Sequence, residues 1–177
     1  MSRRPIQATI RTGADDPDGE GVAARLREAL SQWASGVAVL AASDGEDVEA
    51  ITVTAFSAVS MDPPLVLVCV GLNSPILPTL LEERRFTVGF LAADDRRTAS
   101  YVAQRLPLDR PLFPDPADPV MPGALATLAC RLWEDYPGGD HRILVGEVER
   151  VELGREAEPL LYFRREYWVF GEKEKRG

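Results

Sequence analysis

Short apolar segments of strand length recur along most of this chain, and turn residues separate them. Ser43, Asp44 and Gly45 form one such turn, of the kind that returns a chain as a hairpin. The segments that we predict as strands are 37–41, 50–60, 65–70, 86–91, 124–134, 142–153, 160–163 and 167–170. Many short strands with few helices between them predict an all-β barrel decorated by helices.

Three further segments have the pattern of helices, namely 22–33, 75–83 and 94–104. The first is amphipathic, because its apolar residues recur at three- and four-residue spacing. A length of 177 residues suits one domain. We predict a flexible N-terminal arm at 1–21, one folded domain at 22–170 and a charged C-terminal tail at 171–177. The proline-rich segment 106–122 is predicted to be an extended loop, and both a functional role and a disordered excursion remain open for it.

Composition restricts the partners that this chain can have. A formal net charge of −8 and a pI near 4.8 argue against nucleic-acid binding through a broad basic surface. An anionic ligand must therefore meet a local group of hydrogen-bond donors. No stretch is long and apolar enough to span a membrane, and no apolar segment follows the first arginines as an export signal requires. We expect a cytoplasmic protein without a membrane partner.

The cysteines and the histidine give little support for a disulfide or a metal site. Cys69 and Cys130 both lie in apolar strand-like runs, so two buried free thiols are favoured over a structural disulfide. The chain has one histidine and no Cys-x-x-Cys motif, and we therefore expect no metal.

Residues 50–60 place hydroxyl side chains among apolar ones. Strand alternation puts Thr52 and Thr54 on one face, with Val53 and Ala55 on the other. The small side chain of Ala55 would let a flat ligand approach the backbone itself. A threonine-rich strand also follows from β propensity alone. The turn sequence at 57–64, Ser-Ala-Val-Ser-Met-Asp-Pro-Pro, favours a functional role because so specific a turn rarely arises from composition.

The stretch 52–66, which is TVTAFSAVSMDPPLV, resembles the signature of the flavin reductase-like family. That family shows a threonine-rich strand, an aromatic residue, an S-x-V-S turn and a Pro-Pro pair before an apolar strand. Further segments match in the same order at 26–37, 73–78, 139–148 and 159–162. The resemblance implies a mainly β fold, the FMN-binding split β-barrel of the flavin reductase type with a few peripheral helices.

The same resemblance implies an enzyme, an NAD(P)H:flavin oxidoreductase. NADH or NADPH would reduce FMN, with FAD as the other flavin to consider, and the reduced flavin would pass to a monooxygenase partner. It also implies a homodimer whose subunits share the flavin sites. Departures from the family pattern motivate an alternative, a dimer of the same barrel that binds FMN or a small molecule without reductase activity. Pro75-Ile76 stands where a basic residue and a threonine are common, and Gly89 where an asparagine is frequent.

The resemblance also assigns cofactor-binding residues. Flavin contacts carry over onto Thr52, Val53, Thr54, Ala55, Phe56 and Ser57. Asn73 and Ser74 follow a strand and precede a helix, so their N–H groups suit the phosphate. Capping of the helix by their side chains is an equally good interpretation.

A cation and a histidine complete the predicted site. We expect Arg85, or its neighbour Arg84, to supply the positive charge for the phosphate, and a solvated helix end is the alternative. His141 lies in a Gly-Gly-Asp-His hairpin and is the predicted catalytic residue, near the flavin face where nicotinamide docks. Its alternative is a turn residue in water. No proton donor is needed, because hydride transfer between nicotinamide and flavin belongs to the cofactors.

Overall fold

The computed structural model describes residues 21–104 and 111–170. The helices are α1 Val22–Ser31, α2 Ile76–Glu83 and α3 Arg96–Gln104, with a 3₁₀ turn at Ala93–Asp95. The strands are β1 Ser35–Gly36, β2 Ala38–Ser43, β3 Val48–Val53, β4 Phe56–Met61, β5 Pro64–Gly71, β6 Arg85–Phe90, β7 Ala126–Gly138, β8 His141–Leu153, β9 Leu161–Phe163 and β10 Glu166–Trp168. No helix in these two ranges is long and apolar enough to cross a membrane. Apart from Gly21, the predicted arm and tail lie outside the described residues.

The main sheet has seven antiparallel strands in the order β3-β2-β6-β7-β8-β5-β4. Its two edge strands, β3 and β4, follow each other directly in sequence, and only Thr54 and Ala55 connect them. The sheet must therefore curl until its edges approach, yet β3 and β4 do not pair. A mainly β split barrel is thus confirmed. A smaller sheet, β1-β9-β10, lies beside this opening.

Two apolar cores lie on opposite faces of β2. Ala38, Leu40 and Ala42 face the barrel interior, which α2 helps to fill. Val39 and Ala41 face a second core that includes residues of α3 and of the proline-rich segment. This arrangement follows from the two-residue period of a strand. Because both faces are covered, β2 has an uninterrupted apolar sequence instead of an alternating one.

The proline-rich segment is packed against the sheet over its described part, residues 111–122. Phe113 and Met121 are buried in the second core. The Thr87 hydroxyl donates to the Pro119 carbonyl at 2.7 Å. This part of the segment is therefore a structured covering of the sheet, and the disordered alternative is wrong for it. Two apolar side chains anchor an otherwise irregular backbone.

The cysteines are both free, as expected from the sequence. Cys130 on β7 is buried as predicted, whereas Cys69 on β5 is only half-buried, so the prediction of two buried thiols is wrong for Cys69. Burial raises the pKa of the Cys130 thiol to about 12, and the nearby Glu149 carboxylate contributes to the shift. Cys130 therefore stays a neutral thiol and behaves as a small core residue.

Candidate functional site

Three segments meet at one end of β4, β5 and β8. Gly71, the last residue of β5, lies opposite His141, the first residue of β8. The Leu72 N–H donates to the Asp140 carbonyl at 2.9 Å, which ties the loop after β5 to the β7–β8 turn. Two residues before Gly71, β5 donates an N–H to the Ala55 carbonyl at 3.1 Å. The β3–β4 link, the loop after β5 and the β7–β8 turn are therefore neighbours.

An apolar cleft of about 260 Å³ opens beside the β3–β4 link. The Phe56 ring meets the Phe90 ring edge to face in its wall, with centroids 5.1 Å apart. The lining residues are Ser35, Gly36, Val37, Ala38, Thr54, Phe56, Phe90, Leu91, Leu125, Pro159 and Leu160. Apolar walls with a few polar groups at the edge suit a flat, largely apolar ligand.

The β3–β4 link offers hydrogen-bond donors beside this cleft. Thr54 and Ala55 are exposed and lie outside the strands. Among the described residues, the N–H groups of these two have no backbone acceptor. Ser57 is also exposed, and its hydroxyl donates to the neighbouring Ala58 carbonyl at 3.1 Å. Backbone donors next to small side chains can bind the polar edge of a planar ring system.

Thr52 and Val53 are turned away from this cleft. The Thr52 hydroxyl donates to the Ala99 carbonyl of α3 at 2.9 Å. The Val53 side chain is buried in the barrel interior. The side chains of Thr52 and Val53 alternate as predicted and hold β3 between α3 and the core. The predicted alternation does not extend to Thr54 and Ala55, because β3 ends at Val53 and these two residues lie between strands. A ligand contact by Thr52 or Val53 would be left to their backbone.

Asn73 and Ser74 lie in the loop after β5, close to His141. The N-cap of α2 is Pro75, and no side chain caps the helix. The capping alternative for Asn73 and Ser74 is therefore wrong. The Ser74 N–H donates to the Gly71 carbonyl at 2.9 Å, whereas no backbone acceptor within the described residues takes the Asn73 N–H. Of the two, Asn73 is the one that keeps its N–H for a ligand.

The two arginines after α2 lie elsewhere in the protomer. Arg85 begins β6 and pairs with Glu149 at 2.8 Å. Five residue steps along β6, about 17 Å, separate Arg85 from Phe90 at the cleft. The Arg84 guanidinium donates to the Leu132 carbonyl at 3.1 Å. Within one protomer the fold therefore separates both arginines from the other predicted site residues, because α2 and β6 carry them to the far end of the barrel.

His141 is half-exposed and hydrogen-bonded to its neighbour. Its Nδ1 lies 2.6 Å from Oδ1 of Asp140. This hydrogen bond and the charge of His141 hold the pKa of Asp140 below its usual value, and the Arg27 guanidinium on α1 contributes. In the part of the chain that the structure describes, no group of three His, Cys, Asp or Glu side chains is placed to hold a metal ion.

Sequence patterns did not identify the far wall of the cleft. Gly36, Phe90 and Leu160 come from three distant segments, which the β1–β9 and β2–β6 pairings bring together. Each has the ordinary pattern of a strand residue, so no local signal distinguishes it. The sequence places Asp140 only within the Gly-Gly-Asp-His hairpin, although in the structure it contacts both His141 and the loop after β5.

Comparison with known proteins shows the family to which the chain is similar. A protein-family model described as flavin reductase like domain matches residues 30–170. The chain is 45% identical over 142 residues to the reductase component of 4-hydroxyphenylacetate 3-monooxygenase of Thermus thermophilus, covering 80% of this chain and 93% of that protein. It is 36% identical over 149 residues to the FMN reductase (NADH) SmoA of Agrobacterium fabrum, covering 82% and 84%. The solved structure of flavin reductase PheA2 in its native state matches with a TM-score of 0.79 at 29% identity, covering 84% of this chain and 98% of that one.

Proposed function

This chain belongs to the flavin reductase-like family, and we propose that it uses NADH to reduce FMN at the cleft beside Thr54 and supplies the reduced flavin to a monooxygenase. It is an oxidoreductase, as the names of its relatives support. The name of the Agrobacterium relative supports NADH and FMN, and FAD stays the other flavin to test. The observation that carries the proposal is the meeting of the β3–β4 link, the loop after β5 and His141 beside an apolar cleft.

The residues at this end of the barrel fit a flavin. Phe56 and Phe90 form an apolar aromatic surface against which an isoalloxazine can lie. The N–H groups of Thr54 and Ala55 can bind its polar edge, since neither has a backbone acceptor among the described residues. A bound flavin supplies the hydride-accepting chemistry. The protein has to orient the ring, exclude water on one face and leave the other face open.

The proposed contacts are a subset of the predicted ones. Thr54, Ala55, Phe56 and Ser57 would contact the ring and its edge, and Asn73 with Ser74 would contact the phosphate end. Thr52 and Val53 would act by holding β3 in place. Arg85 would make no flavin contact within its own protomer. His141 would contact the nicotinamide, because its side chain is exposed at the start of β8, beside the loop after β5.

The reductase activity is tested by mixing the purified protein with FMN and NADH in air and following nicotinamide absorbance. We expect NADH oxidation that depends on both protein and FMN. Binding of FMN without NADH or NADPH consumption would instead favour the alternative, a flavin-binding dimer that is not a reductase. Separately, Ala55→Leu should weaken FMN binding by about tenfold, because a bulky side chain would separate the ring from the link N–H groups. Ala117→Leu, at an exposed position of the proline-rich segment, is the matched control and should bind FMN normally.

We also propose that the enzyme is a homodimer. None of the ten residues of α1 is buried. Its apolar face is Val22, Leu26 and Leu30, continued by Trp33, and these side chains are 53–75% exposed. An isolated helix of this length is marginal in water and normally gains its stability by packing an apolar face. The outer face of β5 and β8 also carries half-exposed apolar residues. A second copy of the chain would cover such surfaces.

Sedimentation analysis tests the dimer. The unaltered protein should sediment as a dimer, and Leu26→Glu should shift it toward monomer at low micromolar concentration, because a buried carboxylate at an interface is costly. Ala24→Glu changes the same helix outside its apolar face and should leave the dimer intact. A monomeric unaltered protein would refute the proposal.

A further inference from the structure

We propose that Arg142 supplies the positive charge for the phosphate of FMN, the role that the sequence suggested for Arg85 or Arg84. This assignment rests on the proposed function, because it names one more residue of the same site. Two observations support it. The Arg142 guanidinium has a buried donor that no described group accepts, and Arg142 lies on the strand beside the end of β5.

The side chain of Arg142 is directed to the inner face of the barrel. Arg142 is the second residue of β8 and lies two residues before Leu144, which is fully buried in the barrel core. Residues two apart on a strand share a face of the sheet. The cross-strand neighbour of Arg142 on β5 is Val70, which belongs to the same core. Arg142 therefore lies at the rim of the barrel, the end at which β5 stops and β8 begins.

The loop after β5 turns onto this same inner face. Gly71 ends β5, one residue after Val70. Ile76, the first residue of α2, is fully buried in the core that contains Val70. The chain between Gly71 and Ile76 must therefore pass over the rim beside Arg142. The Asn73 N–H, which has no backbone acceptor among the described residues, belongs to this short passage.

The guanidinium of Arg142 is only partly engaged within the protomer. Its Nη2 forms an ion pair with Oδ2 of Asp135, which lies opposite Leu144 on β7. Its Nε is buried and has no hydrogen-bond partner in the described part of the chain. A buried donor without an acceptor is costly, so it calls for a partner. Because a guanidinium has five N–H donors, the pair with Asp135 leaves donors for a further anion.

A phosphate monoester fits the donors at this rim. Arginine binds phosphate oxygens through short, charge-assisted hydrogen bonds, and its planar group can use two N–H donors at once. In a chain with a net charge of −8, an anion has to be held by local donors. Arg142 and the Asn73 N–H provide a cation and a backbone donor within a few residues of each other along two neighbouring strands. The ring contacts at Thr54 and Ala55 are separate from these donors.

Titration with FMN and with riboflavin, followed by quenching of flavin fluorescence, tests the contact without turnover. Riboflavin has the same ring and polyol but lacks the phosphate. The unaltered protein should bind FMN about tenfold more tightly than riboflavin. In Arg142→Gln this preference should disappear, because FMN binding weakens while riboflavin binding is kept. Arg142→Lys keeps the charge but not the planar donors and should retain part of the preference.

Arg131→Gln is the matched control. Arg131 lies on β7 of the same hairpin, is exposed, and forms an ion pair with Glu149 at 3.3 Å. This variant should keep the full FMN preference. A preference that survives in Arg142→Gln, or an equal loss of affinity for both flavins, would overturn the assignment even if the enzyme reduces FMN. If the unaltered protein binds neither flavin, the proposed function itself is wrong and the assignment fails with it.

Discussion

The ring of Phe56 contacts the ring of Phe90 edge to face, with centroids 5.1 Å apart. Phe56 is the first residue of β4 and Phe90 the last residue of β6. These strands are not neighbours in the sheet, so the aromatic contact joins two residues that strand pairing does not bring together. The contact connects β4, an edge strand that begins directly after the β3–β4 link, to β6, an inner strand of the same sheet.

Phe56→Ala should therefore damage both stability and the cleft. We expect a loss of about 2 kcal/mol in the free energy of unfolding, from lost apolar burial and the lost ring contact, measured by urea denaturation. FMN affinity should fall as well, because the cleft loses part of its wall. Phe170→Ala, at an exposed position, should change neither quantity by much. A stable variant with normal FMN affinity would show that the aromatic contact plays neither role.

The two threonines of the β3–β4 region should separate stability from ligand binding. Thr52→Val removes the hydroxyl that donates to Ala99, so the free energy of unfolding should fall by about 1 kcal/mol while FMN affinity changes little. Thr54→Val alters an exposed side chain at the cleft. Its FMN affinity should fall, while its free energy of unfolding should change little. Urea denaturation and the quenching of FMN fluorescence give the two readouts. The reverse outcome would mean that Thr52 is the ligand contact.

Cys130 should make the fold sensitive to alkali. Its pKa is about 12 when folded against an ordinary value of 9.0, because burial disfavours the thiolate. Above pH 9 the unfolded chain releases this proton first, so it binds fewer protons than the folded chain and stability falls as pH rises toward 12. Between pH 9 and pH 11 the loss from this group should be about 2–3 kcal/mol.

Cys130→Ala gives the comparison for the alkaline loss. The variant should be less stable at pH 7 because of the cavity, but its stability should decline less steeply above pH 9. Guanidinium denaturation at several pH values measures both slopes. Parallel pH profiles would show that the thiol is not responsible. Cys69→Ala is the matched control, since that thiol is only half-buried.

Two strand glycines should respond in opposite ways to alanine. A Cβ on Gly146 would overlap Cζ of the buried Phe86 and lie 3.1 Å from Cβ of Cys130, so Gly146→Ala should destabilise by about 1–3 kcal/mol. A Cβ on Gly89 would lie 3.5 Å from Cβ of Met121, an ordinary contact. Gly89→Ala should therefore be neutral or stabilise by up to about 1 kcal/mol. Thermal unfolding of the two variants measures the difference. Equal changes in stability would contradict the packing described around Gly146 and Gly89.

The packing of Met121 gives a physical reason for one departure from the family pattern, the glycine at position 89. Gly89 stands where asparagine is frequent, and the Met121 side chain packs over the glycine. Met121 belongs to the proline-rich segment, whose described part covers this face of the sheet. The departure and the unusual segment are thus parts of one packing arrangement, which the sequence alone did not connect.

Local patterns predicted the elements well, because strand alternation and turn chemistry act over a few residues. The amphipathic spacing from Val22 predicted α1, and Ser43-Asp44-Gly45 predicted the β2–β3 turn. The β7–β8 hairpin is longer than predicted, since pairing continues to Gly138 and His141. A turn sequence such as Gly139-Asp140 does not reveal how far the flanking strands will pair, because the cross-strand contacts that extend them are not local.

The amino-acid sequence by itself determined the mainly β character of this protein, the family to which it belongs and the segment that borders the cleft. Each of these depends on neighbouring residues, or on motif segments that follow one another along the chain in the family's order. Only the tertiary structure decided that Thr52 binds α3 through its hydroxyl, that Arg85 lies far from Asn73 and that Asp140 holds His141 beside Gly71. The physical reason is that strand register and helix length set those distances, and both emerge when distant segments pack.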